Sequence, residues 1–318
     1  MTGSSSGAVP RSEALMAWAR GAGLVTDPRE ERRLAAMRLE VLAGGAVPGG
    51  RAADVALTTQ WAAFICWVDD HIDRRGLGSV PGELERFTAS LRRVLAPGER
   101  SGAATAPHAL VLAGLWERTA SGMSAGWRER FTADYTDFLD ASEEEVALRR
   151  AGARLPLREY VRLRRRTITL LPMLDVLEHT GHAPLVEAPG VNARVRDLRW
   201  AVADVAGWVN DLASGADDAA VGQDNLVAVV AREYACSPAR ARGRVAAMIR
   251  ERRSGLATTA AELRAGSGLL RERGEDLRRH VDLVETFMAA TLRWLATTGR
   301  FAPGTRAHTS VGPAEPPA

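Results

Sequence analysis

The chain has 318 residues, 46% of them hydrophobic and 25% charged, with 42 basic against 39 acidic side chains and a formal net charge of +3. That composition supplies apolar surface for a sizeable core and too little net charge for a disordered polyelectrolyte. Every basic residue is Arg, none is Lys, and they are interspersed with acids, so no basic stripe able to track a phosphate backbone forms and no nucleic-acid partner is expected.

Residues 1–11, rich in Ser, Gly and Pro, read as a disordered N-terminal tail, and 302–318, with Pro303, Pro313, Pro316 and Pro317 and no apolar period, as a C-terminal one. Between them, residues 12–301 read as one all-α domain of about ten helices, because apolar positions recur with a period near 3.6 and no alternating Val/Ile/Thr/Tyr run suggests a strand. The breaks fall at Asp27-Pro28, Val47 to Gly50, Gly76 to Gly82, Ala96 to Gly98, Ser121-Gly122, Leu155-Pro156, Ala188 to Gly190, Ser237-Pro238 and Gly266 to Gly268. Neither a fixed repeat nor a linker divides the helices, which favours a bundle over a solenoid. Cys66 and Cys236 lie in helical apolar patterns without CxxC spacing, so neither a disulfide nor a zinc site is expected and the compartment reads as cytoplasmic. No apolar run reaches the roughly 18 residues that span a bilayer, so no membrane insertion is expected. Assembly as a homodimer is left open.

The first informative helix carries Val55, Trp61, Phe64, Ile65, Val68 and Ile72 on one face and ends in Asp69, Asp70 and Asp73. A helix C-terminus already carries partial negative charge, so three carboxylates there repel it and one another and call for a cation. Asp69 and Asp73 lie one turn apart on the same face, and paired hard oxygens suit Mg²⁺, which is commonly held by one or two carboxylates together with phosphate oxygens. On its own, such a triplet is more often a solvated helix end balanced by Arg74 and Arg75. Next comes a helical stretch over about 157–178, with a kink expected near Pro172 and Tyr160, Leu163, Leu170, Leu171, Met173 and Leu174 supplying its apolar surface. Arg164 stands on that surface and needs an anion. A later helix with Val191, Val195, Leu198, Val202, Val205, Val209 and Leu212 as its stripe carries Asn210, Ser214 and Asp218 in a column, one residue per turn. Amide, hydroxyl and carboxylate oxygens so stacked can chelate one cation, and the coincidence of two such helix ends argues for metal and diphosphate at one mouth of the bundle. Asn and Ser are also ordinary polar helix residues, and a plain polar stripe is the other reading.

These residues resemble the microbial class I terpene synthases. Asp69-Asp70-His71-Ile72-Asp73 is similar to their DDxxD motif, and Asn210, Ser214 and Asp218 to their NDxxSxxxE motif, with Asp in place of Glu. Tyr160, Arg164 and Thr167 resemble the Tyr-xxx-Arg-xx-Thr pattern around the diphosphate-sensing Arg, and Gly299-Arg300-Phe301 the terminal Arg-Tyr pair. The resemblance covers about 14–301. It implies an all-α isoprenoid-synthase fold and a lyase that ionises a linear allylic diphosphate and cyclises the carbocation. It also implies three Mg²⁺ ions held by Asp69, Asp73, Asn210, Ser214 and Asp218, with diphosphate bound by Arg164, Arg165, Arg300 and the segment ending in Phe301. The catalytic set it implies is Asp69, Arg164, Asn210, Ser214 and Asp218. Phe64, Ile65, Cys66, Thr167, Ile168, Met173, Trp208 and Trp294 are its expected pocket residues, the aromatic ones able to face cations with their π surfaces. Other positions also depart from the pattern: Asp217 stands where a basic residue contacts diphosphate, Phe301 lacks the Tyr hydroxyl, Cys66 stands where the family often has an aromatic residue, and Ile168 stands at the helix break that senses ionisation in the family.

A chain-elongating prenyl diphosphate synthase is the nearest alternative, but it carries two DDxxD motifs, and here Asp134, Asp137 and Asp140 step around a helix instead of sharing a face. A proton-initiated cyclase wants a DxDD motif, which the chain lacks. A non-catalytic helical scaffold would have no reason to place a metal column and an Asp triplet in register. The low aromatic content, 5%, tilts the expected substrate slightly from farnesyl toward geranylgeranyl diphosphate.

Overall fold

The structure is a computed structural model that describes residues 11–74, 77, 82–96, 106–185, 191–220, 223–267 and 273–301, without the side chains of residues 73, 74, 216, 217, 219, 220 and 301. Both expected tails lie outside the described residues, except Arg11, which opens the first helix. The described residues form thirteen α-helices and no strand: α1 (Arg11–Gly21), α2 (Pro28–Met37), α3 (Leu39–Ala46), α4 (Ala52–Arg74), α5 (Glu83–Leu95), α6 (Pro107–Ala120), α7 (Ala125–Arg150), α8 (Leu157–Thr167), α9 (Leu170–Thr180), α10 (Asn192–Ala220), α11 (Leu226–Glu233), α12 (Pro238–Gly266) and α13 (Gly274–Thr297), followed by a 3-10 turn, Gly299–Phe301. Several helix starts are set by side chains that accept from first-turn N–H groups. Asp27 serves α2, with Pro28 behind it, and Ser124, Asn225 and Ser237 serve α7, α11 and α12.

Two boundaries fall where the period runs on without interruption. Arg38, at φ 52°, separates α2 from α3, and Thr169, at φ 63°, separates α8 from α9. A left-handed residue ends a helix even without Gly or Pro, so the kink expected at Pro172 is corrected to a break at Thr169. Pro172 instead sits in the first turn of α9, where its missing N–H leaves no helical carbonyl unpaired.

The main core joins Trp61, Phe64 and Val68 of α4 to Phe131, Tyr135 and Phe138 of α7, Leu174 and Leu177 of α9, and Val284 and Phe287 of α13. A second cluster gathers Tyr160, Val205, Trp208, Leu226, Val229 and Val245 where α8, α10, α11 and α12 meet. Below the Thr169 break the core also holds charge. Arg199 of α10 donates to Asp134, Asp175, Glu178 and the Leu171 carbonyl, and Arg130 of α7 to Asp175 and Glu178. Burial, then the charge of Asp175, pushes both Asp134 and Glu178 up to about 7 against the pull of their guanidinium partners. The three acids of the second Asp run fan out as their steps require, Asp134 to Arg199 on α10, Asp137 to Arg166 on α8 and Asp140 to Arg92 on α5.

Candidate active site

The last turns of α10 carry the column. The Asn210 amide oxygen accepts from Arg164 Nη2 at 2.9 Å, and the Ser214 hydroxyl donates to Asp218 Oδ2 at 2.5 Å. Between these lies Asp211, to which sequence reasoning assigned no role and which organises the region. Its Oδ1 accepts from Arg164 Nε at 2.8 Å, and its Oδ2 accepts from the Tyr160 hydroxyl at 2.8 Å and from the Leu226 backbone N–H at 3.0 Å. One buried carboxylate thus ties α8, α10 and the start of α11 together. Tyr160 and Arg164 are one turn apart on α8, so both reach it from the same face. Burial opposes the charge on Arg164, but Asp211 and Tyr160 more than offset it and hold the guanidinium firmly protonated. Burial raises the Asp218 carboxyl above the usual carboxylate range, against the hydrogen bond from Ser214.

The other acidic end is closed by Arg300, whose Nη2 donates to Asp69 Oδ2 at 2.8 Å and Asp70 Oδ1 at 3.0 Å, bringing the start of the 3-10 turn onto the end of α4. The same guanidinium touches the Met37 sulfur at 3.6 Å. Because Arg38 turns left-handed, the Met37 carbonyl is released from the helix ladder. It accepts from Trp294 Nε1 at 2.5 Å and Thr298 Oγ1 at 3.0 Å, so the end of α13 and Arg300 are seated on one residue.

The structure therefore brings Arg164 to Asn210, Ser214 to Asp218, and Arg300 to Asp69. It does not bring Arg165 there: that guanidinium donates to both oxygens of Asp204 and lies over the Trp200 ring at 4.8 Å. Asp73 lies in α4 and Phe301 closes the final turn, but their side chains, like that of Asp217, are outside the described residues. Phe64, Ile65, Met173 and Trp294 are buried in the main core, and Trp208 in the second cluster, where its indole N–H has no acceptor among the described residues. Cys66 and Ile168 are half-buried against the core, and Thr167 is buried at the end of α8 beside Arg164.

The donor chemistry of both ends suits a cation. At the α4 end two carboxylates converge on one guanidinium nitrogen, a positively charged stand-in. At the α10 end the donors are amide, hydroxyl and carboxylate oxygens, the hard ligands that Mg²⁺ prefers. Among the described residues no three His, Cys, Asp or Glu side chains gather into a metal cluster, so a metal on α10 would draw on Asn and Ser beside a single acid.

The family described as "Terpene synthase family 2, C-terminal metal binding" matches residues 60–254, which include the acidic end of α4, the α8–α9 break and the α10 column. The chain is 28% identical over 291 residues to pristinol synthase of Streptomyces pristinaespiralis, covering 89% of this chain and 78% of that protein. It is 28% identical over 242 residues to a (-)-beta-caryophyllene synthase of Saccharothrix espanaensis, described as (2E,6E)-farnesyl diphosphate cyclizing, covering 74% and 67%. Its fold superposes on linalool/nerolidol synthase from Streptomyces clavuligerus, solved with 2-fluorogeranyl diphosphate, at a TM-score of 0.82, with 23% identity over 90% of this chain and 97% of that one. With an acid-ended α4, an Asn/Ser/Asp column and a broken α8–α9 inside the matched segment, the chain belongs to the metal-binding terpene synthase family 2 and is a class I terpene synthase.

Proposed function

We propose that this terpene synthase uses Mg²⁺, three ions by the family pattern, to ionise a linear allylic isoprenoid diphosphate, and that Asp69 with Asp73 and the Asn210, Ser214 and Asp218 column hold the metal. The observation that carries the reading is the pairing of that column with Arg164, whose guanidinium donates to Asn210 itself. The metal, when bound, supplies positive charge to the diphosphate as it leaves. Heterolysis of the carbon–oxygen bond sends the electron pair out with the diphosphate and leaves an allylic cation that water would capture. Arg164 is held at its Nε by Asp211, so its fork is oriented before substrate arrives, and a planar guanidinium matches phosphate oxygens better than a point charge does. Arg300 supplies a second guanidinium at the α4 end, and the apolar faces of α4 and α9 keep water from the cation. Without a basic residue at 217, diphosphate recognition rests on Arg164 and Arg300.

The substrate is farnesyl or geranylgeranyl diphosphate. The name of the Saccharothrix relative favours farnesyl, whereas the scarcity of aromatic side chains favours the longer chain. Incubation with each diphosphate, with and without Mg²⁺, tests the proposal. Metal-dependent release of inorganic diphosphate with a cyclic terpene supports it, and a lengthened prenyl diphosphate would replace it with chain elongation.

A further inference from the structure

We infer that Asn225, the residue that opens α11, is a positioning residue for the metal ligand Asp218, and that Gly215 is what lets it reach. The inference rests on the reading of Asp218 as a metal ligand. Asn225 is 4% exposed and uses its whole amide. Its Oδ1 accepts from the Ala228 backbone N–H at 3.1 Å and so caps α11. Its Nδ2 donates in two directions, to the Asp211 carbonyl at 3.3 Å and to Asp218 Oδ2 at 3.4 Å. The oxygen of Asp218 that receives the Ser214 hydroxyl is therefore gripped from a second helix as well.

The need for a grip follows from the sequence. Asp218 is one methylene shorter than the Glu it replaces in the motif it resembles, so it cannot reach as far from the α10 backbone, and its direction matters more. Ligating carboxylates are commonly held by an outer hydrogen bond whose loss lowers metal affinity about 10- to 100-fold. Asn225 is a buried donor in that position, and it is anchored by its own cap.

Gly215 makes the approach possible. A Cβ at this position would stand 2.9 Å from Asn225 Nδ2, closer than a carbon and an amide nitrogen tolerate. Gly is otherwise a poor choice inside a helix, costing about 1 kcal/mol relative to Ala. The space left by its missing side chain is filled by the Asn225 amide.

The test uses the full chain and reads metal binding without turnover, as the Mg²⁺ concentration giving half of the thermal stabilisation produced by inorganic diphosphate. Asn225→Ser keeps an N-cap but cannot reach Asp218. Gly215→Ala keeps Asn225 but pushes its amide aside. Each should raise the Mg²⁺ midpoint about tenfold, and the melting temperature of each metal-free variant, measured alongside, shows that it folds. Because both act through the same atom, Gly215→Ala should add nothing in the Asn225→Ser background. Midpoints within twofold of the parent for either single variant, or full additivity in the double, would overturn the inference. Asp218→Ala separates the two levels: if it shifts the midpoint and the Asn225 and Gly215 variants do not, only the positioning role falls. If Asp218→Ala itself leaves the midpoint in place, the metal reading of the column falls and takes this inference with it.

Discussion

The two halves of α10 handle buried polarity in opposite ways. In the first half, charge is matched by charge: Arg199 meets Asp134, Asp175 and Glu178, and Asp204 takes both Arg165 and Arg252. In the second half, the Ser214 hydroxyl donates to Asp218, and one guanidinium of α8, Arg164, serves both Asp211 and the amide oxygen of Asn210. The first arrangement holds α7, α9, α10 and α12 together. The second sets amide, hydroxyl and carboxylate oxygens, hard donors of the kind Mg²⁺ prefers, in a row beside Arg164. Removing a charge should therefore cost stability in the first half and turnover in the second.

The largest effect expected is on folding. Arg199→Ala strips Asp134, Asp175 and Glu178 of a shared, buried guanidinium, and breaking one side of such a pair costs about 3–5 kcal/mol. Denaturant unfolding of the variant should show that loss; a change below about 1 kcal/mol would mean the network is not what fixes α9. Against this stand Asp69→Asn and Asn210→Ala. Each should lose at least about a hundredfold in turnover at saturating Mg²⁺, about 2.7 kcal/mol of barrier, with little change in unfolding. Near-parental turnover in both would remove the basis for separating the two halves.

Arg164 comes next, because it belongs to the reactive half yet is bound like the structural one. Its fork serves Asp211 and Asn210 at once. A Lys ammonium cannot hold both positions and turn a planar edge to diphosphate. Arg164→Lys should lose at least about tenfold in kcat/KM, or roughly 1.4 kcal/mol, nearly as much as Arg164→Ala. Normal kinetics in the Lys variant would show that charge alone suffices.

Stability should also depend on pH through the first half. Asp134 and Glu178 titrate near 7 in the folded protein, above their ordinary values near 4. The folded state therefore holds protons that the unfolded state has released over that window. The contribution is fully present below pH 4 and is lost as the pH rises through about 7. The melting temperature should fall between pH 5 and 8, and Asp134→Asn, which imitates the protonated acid while still accepting from Arg199, should flatten the fall. A slope unchanged by that substitution would place the titration elsewhere.

The same contrast explains what could be read from the residues alone. The column was legible because four-residue steps on a continuous helix fix a shared face, and Arg164 because its spacing to Asn210 follows the family pattern. Asp211 was not, since it lies one residue off the column and its partners come from α8 and α11. Asn225 looks like any helix cap before an apolar run, and only the tertiary approach past Gly215 gives it a second partner. The Thr169 break carries no Gly or Pro, whereas Pro172 looks like a break and is harmless in a first turn. Arg164, Arg165 and Arg166 are three identical side chains about 100° apart around α8. They go to Asp211, Asp204 and the pair Asp137 and Glu144, and while the family spacing singles out Arg164, nothing in the sequence says where Arg165 and Arg166 turn.

Arg165 yields the smallest effect and the finest test. It was assigned to diphosphate together with Arg164, yet both its Nε and Nη2 are engaged by Asp204, at 2.7 and 2.9 Å. Asp204 is buried, so losing Arg165 would be costly if it were the only cation there, but Arg252 Nε donates to Asp204 Oδ2 at 2.9 Å and remains. The carboxylate is left half-served instead of abandoned. Arg165→Gln should then cost about 1–2 kcal/mol of stability, the range of a lost charged hydrogen bond, and change kcat/KM by less than about threefold. Removing Arg252 as well should cost more than the two single losses together, because only the double variant leaves Asp204 without a guanidinium. A tenfold fall in kcat/KM for Arg165→Gln alone, at unchanged stability, would instead put Arg165 on the diphosphate and move the boundary between the two halves of α10 down to Asp204.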